Sequence, residues 1–317
     1  MTAADPRLQL AFEAAEAYYT HGRTQADVAQ HLGVSRPTVS RLLEEARRSG
    51  MVTITVTPPP GGAGLQALSA ELTQALGVRS VRISSGGGRE TSLGAALVQQ
   101  TSQALLDYRL RPGDVLVVAS GRTVYELSLE KLPQLPGLVL VPGVGGQADP
   151  EPWFQTNELV RTLAHKTGGS PRFLFAEAKP SPALYEALRT DPSFRSIQQL
   201  WAGASAAILG IGAPPRTRSS VTSGIPVDDP AVLTAAGDVC LHFIHPDGRP
   251  LEFPDSERLV RIPLDDLLAI PQRLAVAAGT EKVPSIIAAA RMGCFHDLVT
   301  DQPTARALAE TLLPPPS

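Results

Sequence analysis

Two short stretches in the second half of the chain combine glycine with side chains that can bind an anion. Each follows an apolar run typical of a β-strand and precedes a helical pattern. The free amides and the dipole of a helix N-terminus attract anions, and a lysine ammonium group binds phosphate. We therefore expect residues 121–123 and Lys282, one of four lysines among 28 basic residues, to hold a phosphate group. The residues of the two stretches are Gly121, Arg122, Thr123, Gly279, Glu281 and Lys282.

A third glycine turn and one carboxylate complete this candidate effector site. Gly145 and Gly146 follow another apolar run and bring Gln147 to the same edge of the predicted sheet. Open α/β sheets bind their ligands beyond the carboxyl ends of the strands. Asp238 is expected either to bond sugar hydroxyls or to mark a turn. Lys282 is expected to be a phosphate partner, with a Schiff base to an open-chain sugar as the alternative.

The first fifty residues have the pattern of a helix-turn-helix. Thr24 can cap a short helix that ends at Gly33, a residue that adopts the left-handed conformation of a sharp turn. Ser35 can cap the next helix, whose first turn tolerates Pro37. Small Ala29 allows the two helices to cross closely.

The helix that begins at Arg36 has a polar and basic face suited to base edges and phosphates in a major groove. The alternative is a helical protein–protein module with a solvated charged face. The candidate DNA-binding residues are Thr24, Gln25, Ser35, Arg36, Pro37, Thr38, Ser40, Arg41 and Arg48.

Two flanking segments are expected to support this motif. A helix from Arg7 to Gly22 is predicted to pack through one apolar face, and the alternating run Met51–Val56 predicts a strand that forms a wing-like flank. The expected apolar face consists of Leu8, Phe12, Ala15 and Tyr19.

The elements that must position the effector residues alternate between strands and helices. Several strand-like runs are continuously apolar, as in a parallel sheet covered on both faces, so we predict a three-layer α/β, Rossmann-like domain. The predicted strands are Ser80–Ile83, Asp114–Ala119, Leu138–Val141, Phe173–Phe175, Ala206–Gly210, Val239–Ile244, Leu259–Ile262, Arg273–Ala277 and Leu298–Thr300. The predicted helices include Leu65–Leu76, Gly94–Tyr108, Asn157–Lys166 and Val283–Arg291.

Length and composition favour two domains of unequal size. At 317 residues the chain exceeds the size of most single cores. Three prolines and three glycines between residues 58 and 64 interrupt any regular structure. We predict a DNA-binding domain at 1–57, a linker at 58–64, and an effector-binding and oligomerisation domain at 65–317.

Charge and apolar patterning exclude several classes of protein. The net charge of −3 argues against indiscriminate coating of nucleic acid. Apolar runs are too short to span a bilayer and no signal peptide is visible, so we expect a cytoplasmic protein without membrane partners. Cys240 and Cys294 are expected to be buried core thiols. No metal site, cofactor or catalytic constellation is predicted.

Taken together, these motifs resemble those of the SorC (DeoR-like) family of bacterial transcriptional regulators, over nearly the whole chain. The matching stretches are Thr24–Ala29, Leu32–Leu43, Ser120–Thr123, Pro142–Gly146, Gly210–Gly212, Gly237–Asp238, Ala275–Lys282 and Leu298–Ala305.

The resemblance implies a C-terminal fold similar to glucosamine-6-phosphate deaminase and ribose-phosphate isomerase. It also implies a sugar or sugar-phosphate effector, operator DNA as partner, and homodimers or homotetramers. Ser120 stands where family members commonly have tryptophan, and Thr280 where they have a second glycine. These departures suggest an atypical effector.

Two alternatives to a sugar-responsive regulator stay open. The α/β domain could be a vestigial scaffold used only for oligomerisation. Alternatively, the chain could be a sugar-phosphate isomerase or deaminase with an appended DNA-binding domain, which would need an acid/base pair at the phosphate site. Glu281 and Asp238 are the only nearby candidates for such a pair.

Overall fold

The computed structural model describes residues 6–52, 63–85, 92–147, 149–218 and 229–313. The chain divides into two compact units, Met1–Gly62 and Ala63–Ser317. Each unit buries a hydrophobic core of its own. Helix α4 begins at Ala63, so the last two residues of the expected linker are helical. Residues 53–62, which include most of the expected wing strand and linker, lie outside the described residues.

The first unit is built from three helices, α1 (Pro6–Ala15), α2 (Gln25–Leu32) and α3 (Arg36–Arg48). A π-helical turn, Glu16–Thr20, continues α1. The predicted capping box of Thr24 is present, and Gly33 ends α2 with a φ of 66°. The side chain of Ser35 accepts the amide of Thr38 at the start of α3. The helix-turn-helix is therefore confirmed, together with both of its caps.

The predicted apolar face of the first helix is confirmed for Ala15, which is 4 % exposed, and wrong for its three large residues. Leu8, Phe12 and Tyr19 are exposed by 37 %, 48 % and 37 %, whereas Ala11 and Ala14 are fully buried. Helix α1 packs against α3, and small side chains at the contact let the two backbones approach closely. On α3 one apolar face is buried. It consists of Val39, Leu42, Leu43 and Ala46.

The second unit contains a seven-stranded sheet in the order β1-β9-β8-β5-β2-β3-β4, and all of its strand pairs are parallel. A two-stranded antiparallel hairpin pairs β6 with β7. The strands are β1 (Ser80–Ser84), β2 (Val115–Val118), β3 (Val139–Pro142), β4 (Ser170–Pro171), β5 (Ala206–Gly210), β6 (Gly237–Val239), β7 (His242–Ile244), β8 (Gln272–Val276) and β9 (Asp297–Asp301).

Helices cover both faces of the sheet. Successive strand residues enter two different cores: Val117 and Ala207 pack on one face of the sheet, whereas Leu116 and Ala206 pack on the other. The three-layer α/β prediction is thus confirmed. The helices are α4 (Ala63–Leu76), α5 (Leu93–Asp107), α6 (Arg122–Leu129), α7 (Thr156–Thr167), α8 (Pro182–Thr190), α9 (Pro192–Ala202), α10 (Pro230–Leu233), α11 (Leu264–Ala269), α12 (Val283–Arg291) and α13 (Gln302–Leu312).

Three predicted strands differ from the structure. Residues 173–175 form no strand, and the edge strand β4 lies just before them. The run 239–244 is a hairpin, because Cys240 and Leu241 adopt φ values of 48° and 62° and reverse the chain. The run 259–262 contributes a single bridge, between Arg261 and Val144. Both cysteines are buried free thiols, as expected.

Within the described ranges, no helix combines the length and the apolar character that crossing a membrane requires.

Candidate functional site

The chain changes its direction of travel across the sheet between β2 and β5. Strand β2 is followed outward by β3 and β4, whereas β5 lies on the other side of β2 and is followed by β8 and β9. Open α/β sheets bind ligands in the crevice that such a switch point leaves at the carboxyl ends of the strands. The loops after β2, β5 and β8, which contain most of the predicted effector residues, border this crevice.

A hydrogen bond joins two predicted residues across the crevice. Nζ of Lys282, which follows β8, donates to Oγ1 of Thr123, which follows β2, over 3.0 Å. Strand β5 lies between these two strands, so the bond spans its end. Gly210 ends β5, and a Cβ there would lie 3.2 Å from the carbonyl oxygen of Ser120 and 3.3 Å from a methyl carbon of Val124. The glycine therefore allows the neighbouring loop to approach closely.

Burial controls the charge of Lys282. The pKa of this ammonium group is lowered to about 8, and burial is the main cause. The guanidinium groups of Arg218 and Arg122 add to this lowering, whereas the carboxylates of Glu281 and Asp238 offset part of it. Lys282 is still mainly protonated at neutral pH. A poorly solvated ammonium group of this kind favours an anion as its partner.

Helix α6 begins in the crevice without a side-chain cap. Its N-cap residue is Gly121, with a φ of 122°, whereas Ser92, Ser181 and Asp191 cap α5, α8 and α9 through their side chains. The amide of Gly121 itself donates to the carbonyl oxygen of Trp153 over 3.1 Å. The first turn of α6 therefore has no side-chain cap, and the ammonium group of Lys282 contacts this turn through the hydroxyl of Thr123.

Asp238 is already held by protein groups. One carboxylate oxygen forms an ion pair with Arg218, and the other accepts the amide of Leu241 over 3.1 Å. Arg218 also donates to the carbonyl oxygen of Ala213 over 2.5 Å. A Cβ at Gly212 would overlap both the guanidinium and the carboxylate, so glycine is needed there. The expected direct contact of Asp238 with a sugar hydroxyl would have to compete with these bonds.

In the loop after β3, the glycine amides are used by the protein and one side-chain acceptor is free. The amides of Gly145 and Gly146 donate to Val260 and Ala176, each over 2.8 Å. The buried Oε1 of Gln147 has no hydrogen-bond partner within the described residues. Of the three predicted residues in this loop, Gln147 has the group best placed to bind a ligand.

Three further predicted residues also have protein partners. The amide of Gly279 donates to Oγ1 of Thr304 over 2.7 Å. The exposed Glu281 directs its carboxylate back toward Gly279. Arg122 pairs with Glu126 over 2.8 Å. The groups without such partners are thus concentrated at the first turn of α6 and around Lys282.

The predicted DNA-binding face of α3 is solvent-accessible. Arg36, Ser40, Arg41 and Arg48 are exposed, and Thr38 is half-buried with its hydroxyl bonded to that of Ser35 over 2.8 Å. Within residues 6–52 the three arginines form no ion pair with a carboxylate. Arg41 and Arg48 lie opposite the buried face of the same helix, and Arg36 is exposed in its first turn, so a rigid helix presents unpaired guanidinium groups to solvent.

Comparison with known proteins finds a matching family model for each of the two units. A family model described as "Putative sugar-binding domain" matches residues 63–310, and a model of the MarR family matches residues 11–63. The first match alone covers more than half of the chain. This chain belongs to the SorC family of bacterial transcriptional regulators.

Similar SorC family members cover nearly the whole chain. The sorbitol operon regulator of Klebsiella pneumoniae is 27 % identical over 95 % of this chain and 98 % of its own length. The transcriptional regulator LsrR of the same species is 30 % identical over 95 % of this chain and 92 % of its own. The crystal structure of full-length SorC from Klebsiella pneumoniae superposes with a TM-score of 0.77, at 28 % identity, over 96 % of this chain and 99 % of that one.

The chain is therefore a transcriptional regulator with a helix-turn-helix and a sugar-binding domain, and its relatives are regulators rather than enzymes. Among the described residues, no group of three or more His, Cys, Asp or Glu side chains could hold a metal ion. Arg218 was not among the predicted residues, since one arginine among many does not by itself indicate a binding site. Its ion pair with Asp238, twenty residues further on, depends on the bridge between Gly212 and Asp238.

Proposed function

We propose that this SorC family regulator binds a phosphorylated sugar at the switch point and that binding changes its affinity for operator DNA. The Lys282–Thr123 hydrogen bond across the end of β5 is the observation that carries the proposal. It brings an ammonium group beside the uncapped N-terminus of α6, and the two together favour a phosphate dianion. Gln147 supplies a buried acceptor for a sugar hydroxyl nearby in the loop after β3.

We propose that this site senses its ligand without converting it. Isomerisation or deamination requires a carboxylate or imidazole free to exchange a proton with the substrate. Both carboxylate oxygens of Asp238 accept bonds from protein donors, and the exposed carboxylate of Glu281 is turned toward Gly279. Neither is poised for acid/base work. Lys282 acts as a phosphate partner, so no covalent adduct is needed.

The effector proposal is tested by melting-temperature and calorimetric titrations with hexose and pentose phosphates, each beside the same sugar without phosphate. A ligand that binds only the folded state raises the melting temperature. We expect binding by a phosphorylated compound, loss of that binding in Lys282→Met, and normal binding in Lys131→Met, which removes an exposed lysine. Stabilisation by none of the compounds would favour a domain used only for oligomerisation, and equal binding by both lysine variants would place the effector elsewhere.

We also propose that α3 contacts the bases of the operator through Arg36 and Arg41. An arginine that forks onto a guanine contributes about 1–3 kcal/mol of discrimination. Arg36→Ala and Arg41→Ala should weaken specific binding by that amount in fluorescence anisotropy on DNA from upstream of the gene. Arg306→Ala, which removes an exposed arginine from α13, is the matched control. Unchanged specificity in both α3 variants would exclude this helix as the base-contacting element.

We propose that the regulator acts as a homodimer or homotetramer in the bacterial cytoplasm, where the operator lies. One helix-turn-helix contacts one half-site, so paired half-sites require paired chains. Leu72 and Leu76 of α4 are buried in the core of their own unit, so these two side chains are not available for a contact between chains. Sedimentation of the full chain with and without operator DNA tests the assembly, and a monomer on DNA would refute it.

A further inference from the structure

A cavity of about 350 Å³ lies in the second unit. It is enclosed by α8, α9, α11, the hairpin strand β7 and the chain between residues 250 and 264. None of the predicted effector residues lines it. Its volume is within the range typical of small-molecule sites. The cavity therefore has the size for a ligand but no assigned occupant.

The most unusual group on its wall is the guanidinium of Arg261. Arg261 donates to the carbonyl oxygens of Leu241 and Ser256 and forms no ion pair within the described residues. Burial lowers its pKa, and the carboxylate that acts on it most strongly is Glu252, which lies outside ion-pair distance. Burying a cation without a paired anion is costly, so a guanidinium group here favours an anionic ligand.

The other polar groups on the wall add hydrogen-bonding capacity, and a second arginine there, Arg189, is exposed and already pairs with Glu186 over 3.2 Å. Burial lowers the pKa of His242 to about 4, so its ring is neutral at pH 7. Nε2 of His242 lies 2.9 Å from the carbonyl oxygen of Ile262, which makes Nε2 the donor and leaves Nδ1 as an acceptor. Glu252 is exposed at the wall of the cavity, where it accepts the hydroxyl of Ser256 over 3.0 Å. These acceptors suit a ligand that also carries a hydroxyl group.

The rest of the wall includes the exposed side chains of Arg189, Gln198 and Glu257 and an apolar part that the core holds in place. Phe194 and Phe243 are buried and pack edge to face on Trp201 and Phe253, respectively. Leu251, Leu259 and Leu264 complete the apolar wall. Such a surface binds the hydrocarbon part of a ligand through the hydrophobic effect.

We propose that this cavity is a second ligand site, which takes a small organic carboxylate with a hydroxyl group on an apolar body. The carboxylate would pair with the guanidinium of Arg261 in the two-pronged geometry that arginine favours. The hydroxyl would donate to Glu252 or His242, and the apolar body would lie against Phe194. This site is separate from the phosphate site proposed above and does not depend on it.

Mandelate, a phenyl-substituted hydroxy acid, is a suitable probe, and mandelamide is its uncharged counterpart. In calorimetric titration of the full chain we expect mandelate to bind with a Kd of about 1 mM or tighter and mandelamide at least about tenfold more weakly. Gln198 is exposed and lines the cavity, whereas its neighbour Gln199 is exposed and does not. Gln198→Trp should block mandelate binding, and Gln199→Trp should leave it unchanged.

Two further variants assign any binding that is observed. Arg261→Gln removes the charge and keeps an amide donor, so it should lose mandelate binding, and its melting temperature shows whether the unit is still folded. Lys282→Met should bind mandelate normally while losing the sugar phosphate, which separates this proposal from the effector proposal. Absence of mandelate binding, equal binding of mandelamide, or equal binding by the two tryptophan variants would overturn the second site.

Discussion

Raising the pH from 7 to 9 is expected to weaken sugar-phosphate binding about tenfold. Burial lowers the pKa of Lys282 to about 8, so roughly nine in ten molecules have the ammonium form at pH 7 and roughly one in ten at pH 9. The second pKa of a phosphate monoester is about 6, so the ligand stays a dianion over this range. Only the lysine changes its charge.

The direction in which affinity changes with pH follows from proton linkage. A bound phosphate stabilises the ammonium form and raises the pKa of Lys282 in the complex, so binding takes up a proton above pH 8. Affinity therefore falls as pH rises. Calorimetry at pH 7, 8 and 9 measures the change, in buffers of different ionisation enthalpy that report the proton uptake directly.

Lys282→Arg supplies the control, because a guanidinium group stays protonated over the whole range. If this variant binds the effector, its affinity should not depend on pH. Constant affinity of the unmodified chain between pH 7 and 9 would show that the ammonium group does not face the phosphate. A tenfold loss that persists in Lys282→Arg would assign the titration to another group.

Three stability predictions follow from the packing of single residues. Gly212→Ala should lower the free energy of unfolding by about 1–3 kcal/mol, since its Cβ would overlap an ion pair, whereas Gly64→Ala, with open space around it, should be neutral or stabilising in denaturant titrations. Ser35→Ala should cost the first unit about 1 kcal/mol through loss of a helix cap, compared with a change within about 0.5 kcal/mol for Ser40→Ala, an exposed serine of the same helix. Burial would raise the pKa of Asp297, but the hydrogen bonds that Arg79, Ser80 and Tyr108 donate to its carboxylate outweigh burial and lower the pKa. Its contribution to stability should therefore be lost as pH falls below about 4, and Asp297→Asn should weaken the dependence of the unfolding free energy on pH in this range.

The sequence predicted those elements whose local pattern also decides their burial. Helix α12 has the bounds that its pattern indicated, Val283–Arg291, and the continuously apolar run 206–210 is a central strand. Local pattern was insufficient where two conformations satisfy it equally. The run 239–244 has strand-like composition, yet left-handed residues Cys240 and Leu241 fold it into a hairpin. A left-handed conformation at residues other than glycine leaves no mark on apolar periodicity.

The first helix shows a different limit of sequence patterns. Its large apolar residues suggested the buried face, but Phe12 is 48 % exposed while Ala11 and Ala14 are fully buried. Hydrophobicity alone favours burial of the phenylalanine. Because α1 and α3 pack closely, only small side chains fit between them. The distance between the two helices is set by the packing of the whole unit and is not visible in the sequence of one helix.

The residues of the candidate site also include some that a local sequence pattern predicts and some that it does not. Lys282 and Thr123 were predicted because each lies in a glycine loop between a strand and a helix, and the parallel sheet then brings the two loop ends together. Arg218 has no such local context. Its contact with Asp238 arises because Gly212, just after β5, forms a bridge with Asp238 in β6. No local sequence pattern indicates that these two segments pair.

The ion pair of Arg218 with Asp238 changes the chemistry expected of the crevice. A free aspartate would repel a phosphate dianion, whereas an aspartate paired with an arginine repels it much less, because the two charges nearly cancel. Both carboxylate oxygens are engaged, one by Arg218 and the other by the amide of Leu241, so the ammonium group of Lys282 faces a nearly neutralised acid. Burial also lowers the pKa of that lysine, and a cation in this setting gains more from a phosphate than one in water does. The aspartate, taken alone, suggests recognition of a sugar hydroxyl, but in the fold it pairs with an arginine. This pairing supports the proposal that Lys282 and the first turn of α6 bind the anion.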